Sequence, residues 1–390
     1  MKLAKTLLIP YLKRFWLMFL SIVLVGAFGC GILIGLRNAY HSLNNNVNQL
    51  LEECGYPDLY VKTIKDVDNA YLSYLPNDFN ETMGIKKAEY RPTYTTTFTK
   101  GNTSYSGRLI SYTSDSFLKH HAVAGELKEN GIRMEYYFAK SNGFKVGDSF
   151  TAKLPDGTNE TFKIDATIVC PEASIVKADP YSISSSRDFG YIYVPKSVLD
   201  DHMSTKGFNE MLIDFEDGKE KTLEKTVDDL KAYIKEKQGI ELTEDNIKQL
   251  RSNIAFATTY DNSEAIKFYR DAVRGVNLIT IMAPAVFFCV VLIVTALFLS
   301  QIVKQCRKDI GVMRALGERI GSISMVFLLL SFFIAVLAWI LGIGIGSVFT
   351  LFANGAYGEA LKLFPQPFVI YPAAMFISLG IIVVVTVATA

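Results

Sequence analysis

The chain has 390 residues, half of them apolar, with 26 Phe and 20 Tyr, and its formal net charge is only +1. So balanced a charge supplies no basic surface of the kind that nucleic-acid phosphates require. Apolar residues this abundant place the chain among membrane proteins, and they concentrate in runs at roughly 15–36, 276–300, 322–353 and 369–390. Each run is long enough for the roughly 20 residues that cross a bilayer as a helix.

Lys2, Lys5, Lys13 and Arg14 precede the first run, which puts the N-terminus in the cytoplasm by the positive-inside rule. Phe15 to Leu36 is too long for the hydrophobic core of a cleavable signal peptide, so a retained helix is expected. Ala27 and Phe28 suit lipoprotein processing at Gly29-Cys30 poorly. Gly26, Gly29, Gly31 and Gly35 instead predict close helix packing, since small residues let backbones approach within the bilayer. Leu36, Tyr40, Leu43, Val47 and Leu50 then follow at spacings of four and three, predicting a helix that continues beyond the membrane. Ile266, Tyr269, Val273 and Val276 repeat the pattern on a second helix running back in. A paired helical stalk and two ordinary amphipathic helices packed on the domain are both open readings.

Between them lie strand signals. Tyr94 to Thr99 and Ser104 to Tyr112 are rich in Thr, Tyr and Phe. Phe150 to Leu154 and Glu160 to Val169 flank the turn Pro155-Asp156-Gly157-Thr158. Tyr191 to Pro195 and Met211 to Phe215 are further strands, and Glu220 to Gly239 is a helix ending at glycine. Mixed order without a βαβ rhythm predicts an α+β domain of two lobes. Pro284 sits inside span two, where neighbouring helices absorb the lost hydrogen bond.

Gln301 to Gly321 is a short basic segment clamped between two apolar runs. Lys304, Arg307, Lys308, Arg314 and Arg319 outnumber Asp309 and Glu318, so it belongs on the cytoplasmic face. An even number of crossings from the N-terminus places it there independently. Ile302, Cys306, Ile310, Met313 and Leu316 recur at helical spacing and predict one apolar stripe. The fold class expected is a membrane protein with four transmembrane α-helices and a large α+β extracytoplasmic domain inserted between helices 1 and 2. The expected divisions are 1–36 (cytoplasmic N-terminus and first span), 37–275 (outer domain with its stalks), 276–302 (second span), 303–321 (cytoplasmic helix), 322–353 (third span), 354–368 (short outer loop) and 369–390 (fourth span). The fourth span runs to Ala390 with no basic residue after it, so the chain is expected to be a piece of a longer membrane protein.

Catalytic chemistry finds no support. The four histidines are His41, His120, His121 and His202, and the adjacent pair lacks i, i+4 spacing or nearby Cys or acidic partners for zinc. Of five cysteines only Cys54 and Cys170 fall outside, and no spacing rule decides whether they form a disulfide. No phosphate-cradling G-x-x-x-x-G-K-[ST] loop occurs. The spans at 16–36, 276–300 and 322–353 are nearly free of charge, which argues against a proton-driven antiporter.

Asp309-Ile310-Gly311-Val312-Met313-Arg314-Ala315-Leu316-Gly317 resembles the signature that opens the permease domain of FtsX-like, MacB-type ABC transporters, and Gly342, Gly344 and Gly346 match its glycine-rich continuation. Gly143-Phe144-Lys145-Val146-Gly147-Asp148 is similar to the Gly-x-x-x-Gly-Asp turn of the family's periplasmic core domain. Asp309 stands where Glu is commoner, and Glu318-Arg319 replaces a small residue and a basic pair. The resemblance implies a bacterial cell-membrane, multi-pass permease without cofactor of its own, worked by a separate ABC ATPase that binds ATP and Mg. It implies a second permease half, either a homodimer mate or the other half of a longer chain, and membrane lipids as surroundings. The segment at 303–319 would be the coupling helix, with Arg307, Asp309, Ile310, Gly311, Met313, Arg314, Ala315, Leu316 and Gly317 as the ATPase-coupling residues. Ile310, Met313 and Leu316 would face the apolar side. The act outside would be export or extraction of a peptide, antibiotic, lipid or lipoprotein. The alternative is a non-transporting device for signalling or for activating a cell-wall hydrolase.

Overall fold

The computed structural model describes Pro10 and residues 13–179, 182–203, 206–239, 241–365 and 368–389. The expectations on Lys2, Lys5 and Ala390 lie outside these described residues. In chain order the elements begin with α1 (Trp16–Cys54), β1 (Leu59–Asp68), α2 (Phe79–Met83), β2 (Ile85–Arg91), β3 (Thr93–Lys100), β4 (Thr103–Tyr112), β5 (His121–Gly125) and β6 (Ile132–Glu135). There follow α3 (Tyr136–Ser141), β7 (Ser149–Lys153), β8 (Asn159–Val169), β9 (Lys177–Asp179), β10 (Ser182–Ile183), β11 (Phe189–Pro195), α4 (Lys196–Asp200) and β12 (Gly207–Phe215). The last are α5 (Leu223–Gln238), α6 (Glu244–Ser252), β13 (Ile254–Thr259), α7 (Glu264–Gln305), α8 (Arg307–Ala315), α9 (Ile320–Leu361) and α10 (Pro372–Thr389). The chain forms two compact units, one of Met1–Asn45, Asp271–Gly358 and Gln366–Ala390, the other of Asn46–Arg270 and Glu359–Pro365.

The first unit is helical. α1, α7, α9 and α10 are long and apolar enough to cross a membrane. Lipid tails are as apolar as Leu, so association of such helices relies on close packing rather than on expelling water. The glycines of α1 provide it, each against a different neighbour. A Cβ on Gly26 would meet Ala338 and Ile382, one on Gly29 would meet Val291, and one on Gly35 would lie 3.0 Å from the Gly346 carbonyl. From the other side, a Cβ on Gly342 would lie 2.6 Å from Cys30 Cβ, and one on Gly346 would lie 2.9 Å from the Gly31 carbonyl. α1 and α9 therefore cross backbone to backbone through small residues four apart, and α1 touches all three other spans. Gly344 has nothing within 4 Å of its added Cβ, so it takes no part in the crossing.

The second unit is α+β, built on two large sheets, with β9 and β10 forming a separate two-stranded pair. The four-stranded sheet has the order β13-β1-β12-β2, and Leu59, Val61, Ile213 and Phe215 on one face pack with Met83 and Tyr233 from its helices. Two of its strands lack a clear Thr-rich or aromatic signature. β1 reads LYVKTIKDVD and β2 reads IKKAEYR, so Lys and Asp on the wetter face conceal the alternation. The seven-stranded sheet has the order β5-β8-β6-β11-β4-β3-β7, with β8 also paired to β7, which closes six strands into a ring. Phe98, Phe138, Phe144, Phe150 and Phe162 fill its inside with Leu109, Ile192 and Val194.

The Gly143–Asp148 turn fits this ring for local reasons. Gly143 and Gly147 both have positive φ, at 67° and 92°, which a side chain would resist. Phe144 between them is buried, while Asp148 accepts the Lys145 N–H at 2.9 Å and pairs with Lys100 at 2.6 Å. In this structure the turn serves packing.

The segment expected as a loop over 354–368 is helical as far as Leu361. Residues 359–365 then belong to the α+β unit. Tyr137 donates its hydroxyl to the Leu363 carbonyl at 2.6 Å, Asn46 Nδ2 donates to the Phe364 carbonyl at 3.0 Å, and Phe364 stacks on His121. Lys362, at φ 53°, reaches the Ala173 carbonyl at 3.3 Å. Beside it Glu135 caps α3 by accepting the Tyr137 and Phe138 N–H groups, and burial pushes its carboxyl up to about 7.

Candidate functional site: the helix between the second and third spans

The basic segment forms a helix of its own. α7 ends at Gln305, Cys306 makes the corner, and α8 occupies the next nine residues. Its C-terminus explains one glycine of the motif. Gly317 has φ 89°, donating its N–H to the Arg314 carbonyl at 3.0 Å, and Glu318 donates to the Met313 carbonyl at 3.1 Å. These two bonds are the Schellman arrangement, which needs a left-handed residue just past the helix. The segment Arg-Ala-Leu-Gly thus encodes a sharp stop between α8 and α9.

The expected apolar stripe divides. Ile302 and Cys306 are fully buried, and Ile310 and Met313 pack against the core of the helical unit. Leu316, expected on the same face, is 80 % exposed instead, together with Val312 at 60 %. Leu316 is the C-cap of α8, at φ −80° and ψ 4°, one residue before the left-handed Gly317. Gly311 and Ala315 complete the uncovered face, and a Cβ on Gly311 would meet nothing within 4 Å. Glycine inside a helix costs about 1 kcal/mol relative to alanine. No atom among the described residues gives a reason for that cost.

The charged residues also separate. Arg307, Lys308 and Arg314 are exposed. Asp309 turns back to the start of α1, where Arg14 Nη1 lies 3.2 Å from its carboxylate. Both partners are about half exposed, so the pair contributes at most about 1 kcal/mol. Its value is positional: it ties α8 to the helix that every other span touches. The sequence pattern shows no trace of this pair, because two charges 295 positions apart carry no local signal.

Residues 281–390 match the family described as FtsX-like permease C-terminal. That match covers 110 of the chain's 390 residues. It takes in most of α7 and all of α8, α9 and α10, and so contains the whole motif from Asp309 to Gly317. Among solved structures, the extracellular domain of the noncanonic ABC-type transporter YknZ from Gram-positive bacteria is similar at 10 % identity and TM-score 0.31, over 47 % of this chain and 95 % of that one. The periplasmic region of MacB from Actinobacillus actinomycetemcomitans is similar at 13 % identity and TM-score 0.29, over 52 % and 96 %. Likeness at that level adds nothing to the family match. No curated protein matches the chain in sequence.

Elsewhere the polar residues singled out in the sequence have separate partners. His120 is buried between Tyr112 and Tyr193, and burial, with Arg133 beside it, holds its ring well below the usual histidine range. His121 instead meets Glu53 at 2.6 Å. His202 bonds Asp156 of the Pro155–Thr158 turn. Cys54 and Cys170 are buried free thiols, and burial pushes the Cys54 thiol up to about 12. Among the described residues no group of three His, Cys, Asp or Glu is placed to hold a metal ion.

Proposed function

We infer that the chain is the permease subunit of an ABC transporter of the FtsX/MacB type, coupled through α8 to a separate ATPase that binds ATP and Mg. What supports this is the uncovered face of Gly311, Val312, Ala315 and Leu316, whose opposite side already packs on the spans. A small-residue patch beside two exposed apolar side chains suits close approach by another protein, and Arg307, Lys308 and Arg314 around it suit acidic groups on that partner. In this reading α8 lies in the cytoplasm and the α+β unit outside the membrane. Closure of an ATPase dimer shifts α8, and α1 and α7 carry the shift outward as continuous helices. A second permease half completes the pair, and the outer act is export or extraction of a peptide, antibiotic, lipid or lipoprotein.

The test is Val312→Asp with Leu316→Asp in the complex reconstituted with its co-purifying ATPase. Both side chains are exposed, so membrane insertion and melting of the chain are expected to stay within a degree or two. Each side chain acts as an apolar hot spot worth about 2 kcal/mol, so the double substitution weakens ATPase binding by at least roughly a hundredfold. Unchanged binding and stimulation would remove α8 as the docking element. Met313→Asp cannot serve here, because Met313 is part of the packed unit.

A further inference from the structure

A cavity of about 410 Å³ lies between the two sheets of the α+β unit. One wall is a cross-strand row on the four-stranded sheet. Phe256 of β13 faces Lys62 of β1, Lys62 faces Glu210 of β12, and Glu210 faces Arg91 of β2. The charges in this row are consumed. Lys62 pairs with Glu210 at 2.8 Å, and Arg91 pairs with Glu210 at 2.9 Å and with Glu172 at 2.6 Å. At the rim Lys177 pairs with Glu264 at 2.7 Å.

The other wall carries a cation that is not consumed. Arg108 on β4 stands in register with Tyr191 on β11, with its guanidinium 5.7 Å from the Tyr191 ring. It is 8 % exposed and lines the cavity. Among the described residues its one hydrogen bond runs from Nη2 to the Ala178 carbonyl at 3.2 Å, and no carboxylate lies within ion-pair distance. Glu210 feels its charge across the cavity but is already bonded to Lys62 and Arg91. None of the Arg108 nitrogens is both fully buried and without a partner, so the donors not bonded to Ala178 open onto the cavity. The planar fork of the guanidinium matches a carboxylate bidentately, and Tyr191, Tyr56 and Phe256 offer rings to flank the group that carries it.

We propose that this cleft is a binding site for a carboxylate attached to an apolar or aromatic group, with Arg108 as the anion-holding residue. The cavity volume falls within the usual range for small ligands and suits one residue-sized group. A peptide C-terminus and a free acylated amino acid share this chemistry. The site is independent of the coupling through α8.

The full chain in nanodiscs is titrated by calorimetry with N-acetyl-tyrosine, its C-terminal amide, an acetylated tripeptide ending in Tyr, and inorganic phosphate. The acid is expected to bind one site, with the amide and phosphate each at least tenfold weaker. Tighter binding of the tripeptide assigns the source to a peptide end, and equal binding assigns it to a single acylated residue. Arg108→Gln is expected to lose at least tenfold for the acid, and Arg108→Lys to recover part of it. Equal binding of acid and amide, phosphate as tight as the acid, or no binding of either acid overturns the proposal without any variant needing to fold.

Discussion

Gly311 and Gly317 sit six residues apart in one motif and do different physical work. Gly317 is required by its own backbone, which occupies the left-handed region and closes the end of α8. Gly311 is required by nothing among the described residues. Gly317→Ala is therefore expected to cost about 1 kcal/mol locally and to fray α8. Gly311→Ala is expected to strengthen the helix by up to about 1 kcal/mol while weakening ATPase stimulation, because the new methyl lies on the uncovered face. Hydrogen exchange over α8 and the stimulated ATPase rate separate the two. If both variants leave stimulation intact, the motif's glycines have no role in coupling. The sequence announced both glycines but could not distinguish them, since φ and open space exist only after folding.

Among elements, the spans were the most legible, because twenty apolar residues in a row admit few alternatives. The packing of α1 was legible as well, through its glycines. On α9 the reading needed coordinates: Gly342, Gly344 and Gly346 look alike in sequence, yet only two of them meet α1. Gly342→Ala would force a methyl against Cys30 and the Ala27 carbonyl, whereas Gly344→Ala projects into open space. The first is expected to lower the melting temperature of the purified chain by several degrees and the second to leave it unchanged. Equal behaviour would mean that the α1–α9 crossing is looser than described. Strands rich in Thr and aromatics were readable, and the Lys- and Asp-bearing β1 and β2 were not. Closure of the ring escaped too, since it depends on β7 meeting both β3 and β8, a choice made by long-range pairing.

For the whole molecule, the α+β unit buries a network of charge centred on Glu210 of its four-stranded sheet. Burial alone would raise the Glu210 carboxyl, but Lys62, Arg91 and Arg108 hold it well below the ordinary range. A carboxyl depressed in the native state adds stability that is complete above its unfolded value of about 4 and is lost as pH falls below it. Glu210→Gln leaves Lys62 and Arg91 buried with too little countercharge, at a cost of about 3–5 kcal/mol near neutral pH. The melting gap between wild type and variant is expected to narrow steadily below about pH 4, and a constant gap would show that Glu210 is not stabilising as an anion. Neither Arg91 nor Arg108 stood out in the sequence, because a lone arginine in a strand signals nothing until a second sheet covers it. The same unit has one more property, carried by Glu359–Pro365. Its main stretch is complete at Arg270, but the piece that supplies Leu363 and Phe364 is made about 95 residues later. At ordinary synthesis rates that is a delay of roughly 5–20 s. During it Asn46 and Tyr137 wait without the carbonyls they later bond. The α+β unit therefore cannot finish folding until α7, α8 and α9 have been made, so its completion is timed by the synthesis of the helices that interrupt it.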